Sequence, residues 1–439
     1  MELNHTHDAS ARSWLASANE PGCDFPIQNL PFGVFRRRGA DEPFRGGVAI
    51  GDQVIDLAAV SASGVLDGLA ADAARAAAQP ALNGLMAMGP AAWRALRHAL
   101  FAALRHDATV VSALHAGLVP QSAVEHSVPT RIGDYTDFYT SIHHARNVGR
   151  VIRPDDPLTP NFQWIPIAYH GRASSVVISG TPFHRPHGQA MAPGASAPVY
   201  GPCRRLDYEL EMGFYVGPGN ALGQPIPIGE AEQHIFGMCL LNDWSARDHQ
   251  FWEMAPLGPF LGKNFCTSVS PWIVTMEALA PYRVPFAHPA DEPQPLPYLD
   301  SPANSAQGGV DVQLEVLLQS AQHRARGHGG DRLSATSFRH QYWTIAQMLA
   351  QHANNGCNLQ PGDLLGTGTI SGPTYEEAGA IVELSLGGTR QIPLAATGEM
   401  RTFLEDGDTV VLRGWCEKPG AARIGFGECR GEVLPAIGG

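Results

Sequence analysis

The chain has 439 residues, 44% of them hydrophobic and 16% charged, with a net charge of −12. That is enough for two or three ordinary domains with a substantial core, and too apolar for a disordered chain. No Lys/Arg block occurs, which argues against nucleic acid or an anionic membrane as a main partner, and no apolar run approaches the roughly 20 residues of a membrane span.

The opening MELNHTHDASARSW lacks the basic-then-apolar order of a secretory signal. Val48–Ile50 and Val54–Leu57 read as strands around a Gly51-Asp52 hairpin turn. Residues 65–117 are alanine-rich and predict two or three helices, with Trp93, Leu96, Ala99, Leu100 and Leu104 at helical spacing as core packing. From about residue 125 the chain is strand-rich and punctuated by Gly and Pro. Ile235–Leu241 reads as a buried strand, and 280–310 as a Pro-rich surface loop. Thr344 and Gln347 form a capping box ahead of a helix that Gly356 could end. Val382, Leu384 and Leu386 alternate as a strand before a Gly387-Gly388 turn, and Thr409–Leu412 follows the Asp406-Gly407 turn. The expected organisation is a small N-terminal domain and a large, mainly β C-terminal domain with some α. The seven cysteines are scattered without a Cys-x-x-Cys pair, which predicts reduced thiols in a cytoplasmic protein and argues against a cysteine-ligated zinc site.

Three clusters carry candidate chemistry. In Leu206–Met212, strand alternation puts Asp207, Glu209 and Glu211 on one face, either as a solvated strand face or with Glu209 and Glu211 as carboxylates that water or a cation must separate. In Asn242–Gln250, Asp243, Arg247 and Gln250 fall along one side of a helix, with Asp243 as its cap in the simpler reading and as a site edge in the other. In Asp134–His144, acids, phenols and two imidazoles are crowded together; adjacent side chains such as His143 and His144 diverge and rarely chelate one ion. An all-oxygen set of Asp137, Glu209, Glu211 and Asp243 suits a hard divalent cation, Ca2+ or Mg2+, and leaves an imidazole free as a base. The stretch 258–264 resembles a phosphate loop but is one residue short and has Asn264 in place of Ser/Thr, so nucleotide binding is rejected there. The glycine-rich 361–372 is too loose for a dinucleotide fingerprint; it reads as tight β turns, or as close backbone approach to a ligand beside the Thr369 hydroxyl.

The clusters lie within a longer text: DYTDFYTS…HH…NVG at 134–149, YHGRASSVVISGTP at 169–182, LDYELEMGFYVG at 206–217, IFGMCLLNDWSARD at 235–248, PLGPFLGKNF at 256–265 and NGCNLQPGDLLGTGTISG at 355–372. In this order they resemble the fumarylacetoacetase family, and NLPFGVF at 30–36 resembles its N-terminal domain. The resemblance implies an SH3-like barrel with added helices over 26–125, then a mixed β-roll catalytic domain over 126–436, assembled as a homodimer. It implies a metal site of Asp137, Glu209, Glu211 and Asp243, with Lys263 and Thr267 at a second Mg2+ position. His144 becomes the general base oriented by Glu383, which the alternating pattern puts on the polar face of a strand. Arg247, Gln250 and Lys263 become the oxyanion-stabilising set, and Tyr139, Arg153, Tyr169, Gln250, Met254 and Thr369 stand at substrate contacts. The implied reaction is hydrolysis of a carbon–carbon bond in a small diketo acid, 4-fumarylacetoacetate, giving fumarate and acetoacetate in tyrosine and phenylalanine breakdown. Other superfamily activities, acylpyruvate hydrolysis or oxaloacetate decarboxylation, are the alternatives. Ile142, His143 and Met254 depart from the family pattern of Arg, Gln and Tyr, which bears on substrate preference.

Overall fold

A computed structural model describes residues 2–438. The N-terminal part is a five-stranded antiparallel sheet in the order Leu118–Pro120, Gln53–Asp56, Arg45–Ile50, Phe32–Arg37, Val124–Ser127. The hairpin at Gly51-Asp52 is present, with Ala49 paired to Val54. Helices Leu57–Ser63, Gly68–Ala77, Asn83–Ala87, Pro90–Leu104 and Val111–His115 pack beside the sheet. The alanine-rich segment thus holds four helices rather than two or three, because breaks at 78–82, 88–89 and 105–110 divide it more finely than the apolar spacing suggests.

An eight-stranded sheet organises the remainder. Its path is Ala168–His170, Tyr135–Phe138, Leu364–Gly366, Leu210–Val216, Ile235–Asp243, Thr267–Val269, Val176–Ile178, with Val274–Thr275 also on Ile235–Asp243. Both faces of the sheet are covered. Met212, Phe214, Met238 and Leu240 enter the large C-terminal core, whereas Tyr215, Phe236, Cys239 and Leu241 enter the core shared with the N-terminal helices and strands. Two covered faces explain the near-continuous apolar run of Ile235–Leu241, expected as a buried strand and found as one. A second sheet runs Asp331–Ser337, Gln313–Gln319, Thr409–Cys416, Ile424–Leu434, Phe183–His184. The architecture is therefore mainly β with some helix, two curled sheets behind a small N-terminal unit. The Thr344/Gln347 capping box opens the helix Ile345–Ala353 as expected. Among the described residues no helix is long and apolar enough to cross a membrane.

Four local expectations are corrected. Ile381–Leu384 is a short helix, not a strand: the Asp207 carboxylate accepts the N–H groups of Ile381 and Val382 and fixes a helical start, and every residue of the segment is buried, so the apolar alternation did not mark two faces. Asp243 is the last residue of a strand, not a helix cap; the helix Arg247–Glu253 begins after Ala246, so Asp243 and Arg247 do not share a helix side. Asp207, Glu209 and Glu211 do not form one solvated face, because the strand breaks between Asp207 and Leu210 and all three side chains are buried. The 280–310 excursion is more than a loop: it carries a short helix, Pro302–Gln307, and buries Leu299 and His288.

Candidate active site

The ends of the central strands deliver four acids to one place. Asp137 lies in Tyr135–Phe138, Glu211 in Leu210–Val216, and Asp243 ends Ile235–Asp243 beside its cross-strand partner Thr267. Glu209 occupies the break just before Leu210. One carboxylate oxygen from each of the four lies within 4.8 Å of every other, and all four side chains are buried. The backbone closes in from the far side: the Gly368 N–H donates to Asp137 Oδ1 at 3.2 Å and Glu211 Oε2 at 3.0 Å. Gly366 has no room for a side chain, since a Cβ there would stand 2.6 Å from Asp137 Oδ1.

Electrostatics divide the cluster. Burial, then Asp243, push the Asp137 carboxyl far above its usual range, and burial, Asp137 and Glu209 do the same to Glu211. Burial also raises Asp243, although Lys263 opposes it. Glu209 goes the other way: burial would raise it, but Lys263 and Arg247 together hold it well below the ordinary carboxylate range. The two results are consistent, because Glu209 has two cations in contact and Asp243 only the lysine. Lys263 bonds Glu209 and reaches Asp243 Oδ2 at 2.6 Å. One lysine and one arginine leave the acids under-neutralised, and Glu211 Oε1 is buried with no hydrogen-bond partner among the described residues. Four oxygen donors with surplus negative charge and an unused buried oxygen fit a hard divalent cation.

An imidazole stands next to the acids. The helix Ile142–Ile152 is capped by Ser141 and carries His144 in its first turn. The His144 Nδ1–H donates to Glu383 Oε1 over 2.7 Å, and Nε2 faces Glu209 Oε1 at 3.9 Å. Glu383 is anchored twice more, by the Asn147 amide at 2.8 Å and the Ser371 hydroxyl at 2.8 Å. Burial opposes its ionisation, but His144 and the hydrogen bonds from Asn147 and Ser371 together draw the carboxyl below its usual value. Arg247 spans Asp207 and Glu209, each at 2.8 Å, and also donates to Gln250 Oε1 at 3.1 Å. Its Nη2 is buried without a partner among the described residues, as is the Thr369 hydroxyl. Tyr169 donates to Asp243 Oδ2 at 2.6 Å, and the Tyr139 ring stands edge-on to His144 with centroids 5.3 Å apart.

Two of the candidate residues lie farther out, and a third, Thr267, touches the cluster at one acid. Met254 is half-buried at the end of the helix carrying Arg247 and Gln250. Arg153, at the end of the His144 helix, is exposed and donates to the Pro157 carbonyl. Thr267 touches Asp243 at the limit of a hydrogen bond, 3.4 Å. Asp207, Asn147 and Ser371 hold the site from behind without a sequence signal for that part: Asp207 binds Arg247 and the start of the helix bearing Glu383, and the other two hold Glu383 itself. Asn147 and Ser371 sit in the quoted NVG and GTGTISG text, and that was their only signal.

A buried His–Glu pair stands against an acid cluster that fits a hard cation, and the class of protein that this fold and site define is a hydrolase. The chain belongs to the fumarylacetoacetate hydrolase family. The family model "Fumarylacetoacetate (FAA) hydrolase C-terminal" matches residues 135–434, and "Fumarylacetoacetase N-terminal" matches 28–129. The chain is 49% identical to the fumarylacetoacetase of Oryza sativa subsp. japonica, covering 97% of this chain and 99% of that protein. It is 48% identical to that of Homo sapiens, covering 94% and 97%. The solved fumarylacetoacetate hydrolase of Exiguobacterium antarcticum shares the fold at a TM-score of 0.51 and 16% identity, covering 92% of this chain and 99% of that one.

Proposed function

We propose that the protein hydrolyses 4-fumarylacetoacetate to fumarate and acetoacetate. It is a hydrolase acting on carbon–carbon bonds. The observation that carries the reading is the orientation of His144: one ring nitrogen is committed to Glu383, and the other faces the acid cluster. Full-length similarity to fumarylacetoacetases supports the substrate.

Asp137, Glu209, Glu211 and Asp243 would hold a divalent cation, Mg2+ or Ca2+, with Lys263 and Thr267 beside it. When bound, the cation supplies Lewis acidity toward the oxygens of a β-diketone. The chain's own groups do the rest. Glu383 accepts a hydrogen bond from the Nδ1–H of His144, so that in the neutral ring Nε2 carries the lone pair and takes a proton from water as hydroxide adds to the substrate carbonyl. Arg247, Gln250 and Lys263 present positive charge and an amide to the oxygen that gains charge, a contribution of about 3–4 kcal/mol per donor in such sites. The carbon–carbon bond then breaks, its electron pair leaves as an enolate, and the proton held by His144 returns to that carbon. Tyr139, Arg153, Tyr169, Met254 and Thr369 are assigned to substrate contacts. The division into 26–125 and 126–436, a homodimer and a cytoplasmic setting belong to the same reading, the last supported by seven free cysteines.

The test is loss of fumarylacetoacetate absorbance by purified protein, before and after chelation, with acylpyruvates in parallel. Turnover of acylpyruvates alone would overturn the substrate assignment.

A further inference from the structure

The helix Arg247–Glu253 has a second set of polar residues, away from the carboxylate cluster. Arg247 bonds Glu209 and donates to Gln250, whereas Asp248 and His249 meet the hairpin formed by His187–Ala190 and Val199–Pro202 and the residues that follow it. There Cys203 Sγ, an Asp248 oxygen and a His249 ring nitrogen lie within 4.8 Å of one another. Cys203 and His249 are each only 2% exposed. Around a tetrahedral zinc ion, with bonds of about 2.0–2.3 Å, such atoms stand roughly 3–4 Å apart, so small side-chain shifts close the triangle.

A separate observation points to a ligand. Nδ1 of His249 is buried and has no hydrogen-bond partner among the described residues, a state that buried polar atoms rarely keep without a reason. Gly188 clears space for it: a Cβ at that position would stand 2.6, 2.8 and 2.9 Å from Nδ1, Cγ and Cε1. Three nearly equal distances place that side chain over the ring face, so the glycine lets the His249 ring pack flat against the hairpin with Nδ1 unpartnered at its edge.

We propose that Cys203, Asp248 and His249 bind a transition-metal ion of the zinc class, through one thiolate, one carboxylate and one imidazole, with water completing the tetrahedron. Sulfur and nitrogen donors select zinc, cobalt or copper over the hard cations that suit the four-carboxylate cluster, so the two sites take different ions. On binding, the thiol proton that Cys203 now directs to Asp248 Oδ1 at 2.9 Å passes to solvent as the sulfur–metal bond forms, and no electron is transferred. The ion ties the helix bearing Arg247 and Gln250 to the hairpin. Cysteine spacing argued against thiolate-ligated zinc; the site escapes that reasoning because its ligands come from segments 45 residues apart.

The experiment uses full-length protein stripped with EDTA, then saturated with Mg2+ to fill the carboxylate cluster, and titrated with Co2+. A thiolate-to-cobalt charge-transfer band that saturates at about one equivalent, and that Zn2+ abolishes, is expected from a single tetrahedral site. Cys203→Ser should remove the band, and His249→Ile should weaken Co2+ binding at least about tenfold. Should Cys203→Ser fail to fold, His249→Ile carries the test alone. Cobalt taken up without a thiolate band, or a wild-type affinity in His249→Ile, would overturn the site.

Discussion

The Nδ1–H of His144 donates to Glu383 across 2.7 Å although the two residues are 239 positions apart in the chain. The bond fixes both the tautomer and the tilt of the ring. His144→Ala should therefore lower kcat by about 10²–10⁴-fold with little change in KM. Glu383→Gln should fall in the same range, because an amide oriented by Asn147 and Ser371 no longer selects the productive tautomer. Unchanged turnover in His144→Ala, with the melting profile preserved, would remove His144 as the base.

Gly366→Ala isolates the acid cluster from the base. The added methyl would press on Asp137 Oδ1, and a strand glycine is otherwise a mild site to fill. Cation affinity measured by calorimetry should weaken by roughly 10–100-fold, while the His144–Glu383 geometry stays intact. Normal affinity would mean that Asp137 contributes nothing to cation binding.

Arg247→Met strands two buried acids, Asp207 and Glu209. Removing one side of a buried ion pair costs about 3–5 kcal/mol, so the denaturant midpoint should drop accordingly. Adding Asp207→Asn should recover part of that loss, a coupling that a double-mutant cycle would quantify. Strict additivity would show the pair to be independent.

The pH dependence without cation follows from the opposed shifts. Asp137, Glu211 and Asp243 are raised, so the native state holds their protons more tightly than the unfolded chain. Their stabilising contribution is complete below the ordinary values of 3.8–4.5 and is lost as pH rises toward the raised ones. Glu209 and Glu383 are depressed, so their contribution is complete above 4.5 and is lost only as pH falls through the depressed values. EDTA-treated protein should thus lose thermal stability from about pH 5 upward. Added Mg2+ or Ca2+ should restore it by an increment that grows with pH, with protons released on binding. An increment independent of pH would contradict the surplus of negative charge at the cluster.

Local signals were the readable part of this sequence. The Gly51-Asp52 hairpin and the Thr344/Gln347 box are decided by neighbours a few residues away, and both stand where their residues predict. The residue types at the site were also readable, but their convergence was not. Glu209 and Glu211 alone are compatible with a solvated edge; oxygen chemistry groups them with Asp137 and Asp243 as a possible cation set, and the longer family text makes that grouping specific. The helix Ile381–Leu384 lay beyond local reasoning, since the carboxylate that starts it, Asp207, is 174 residues upstream. The accessory anchors of Glu383 were hidden for the same reason: Asn147 is 236 residues from the carboxyl it holds.

That assembly across distant segments also bears on how the protein matures. Tyr135–Phe138 meets Leu364–Gly366 as parallel neighbours in the central sheet, a pairing whose loop-closure entropy makes it slow to form. A nascent chain stopped before residue 364 lacks the strand that separates Asp137 from Glu211, and one stopped before 383 lacks the partner of its imidazole. Turnover is therefore a late marker of folding, and a cation that binds only the finished sheet pulls the chain toward that end point by mass action.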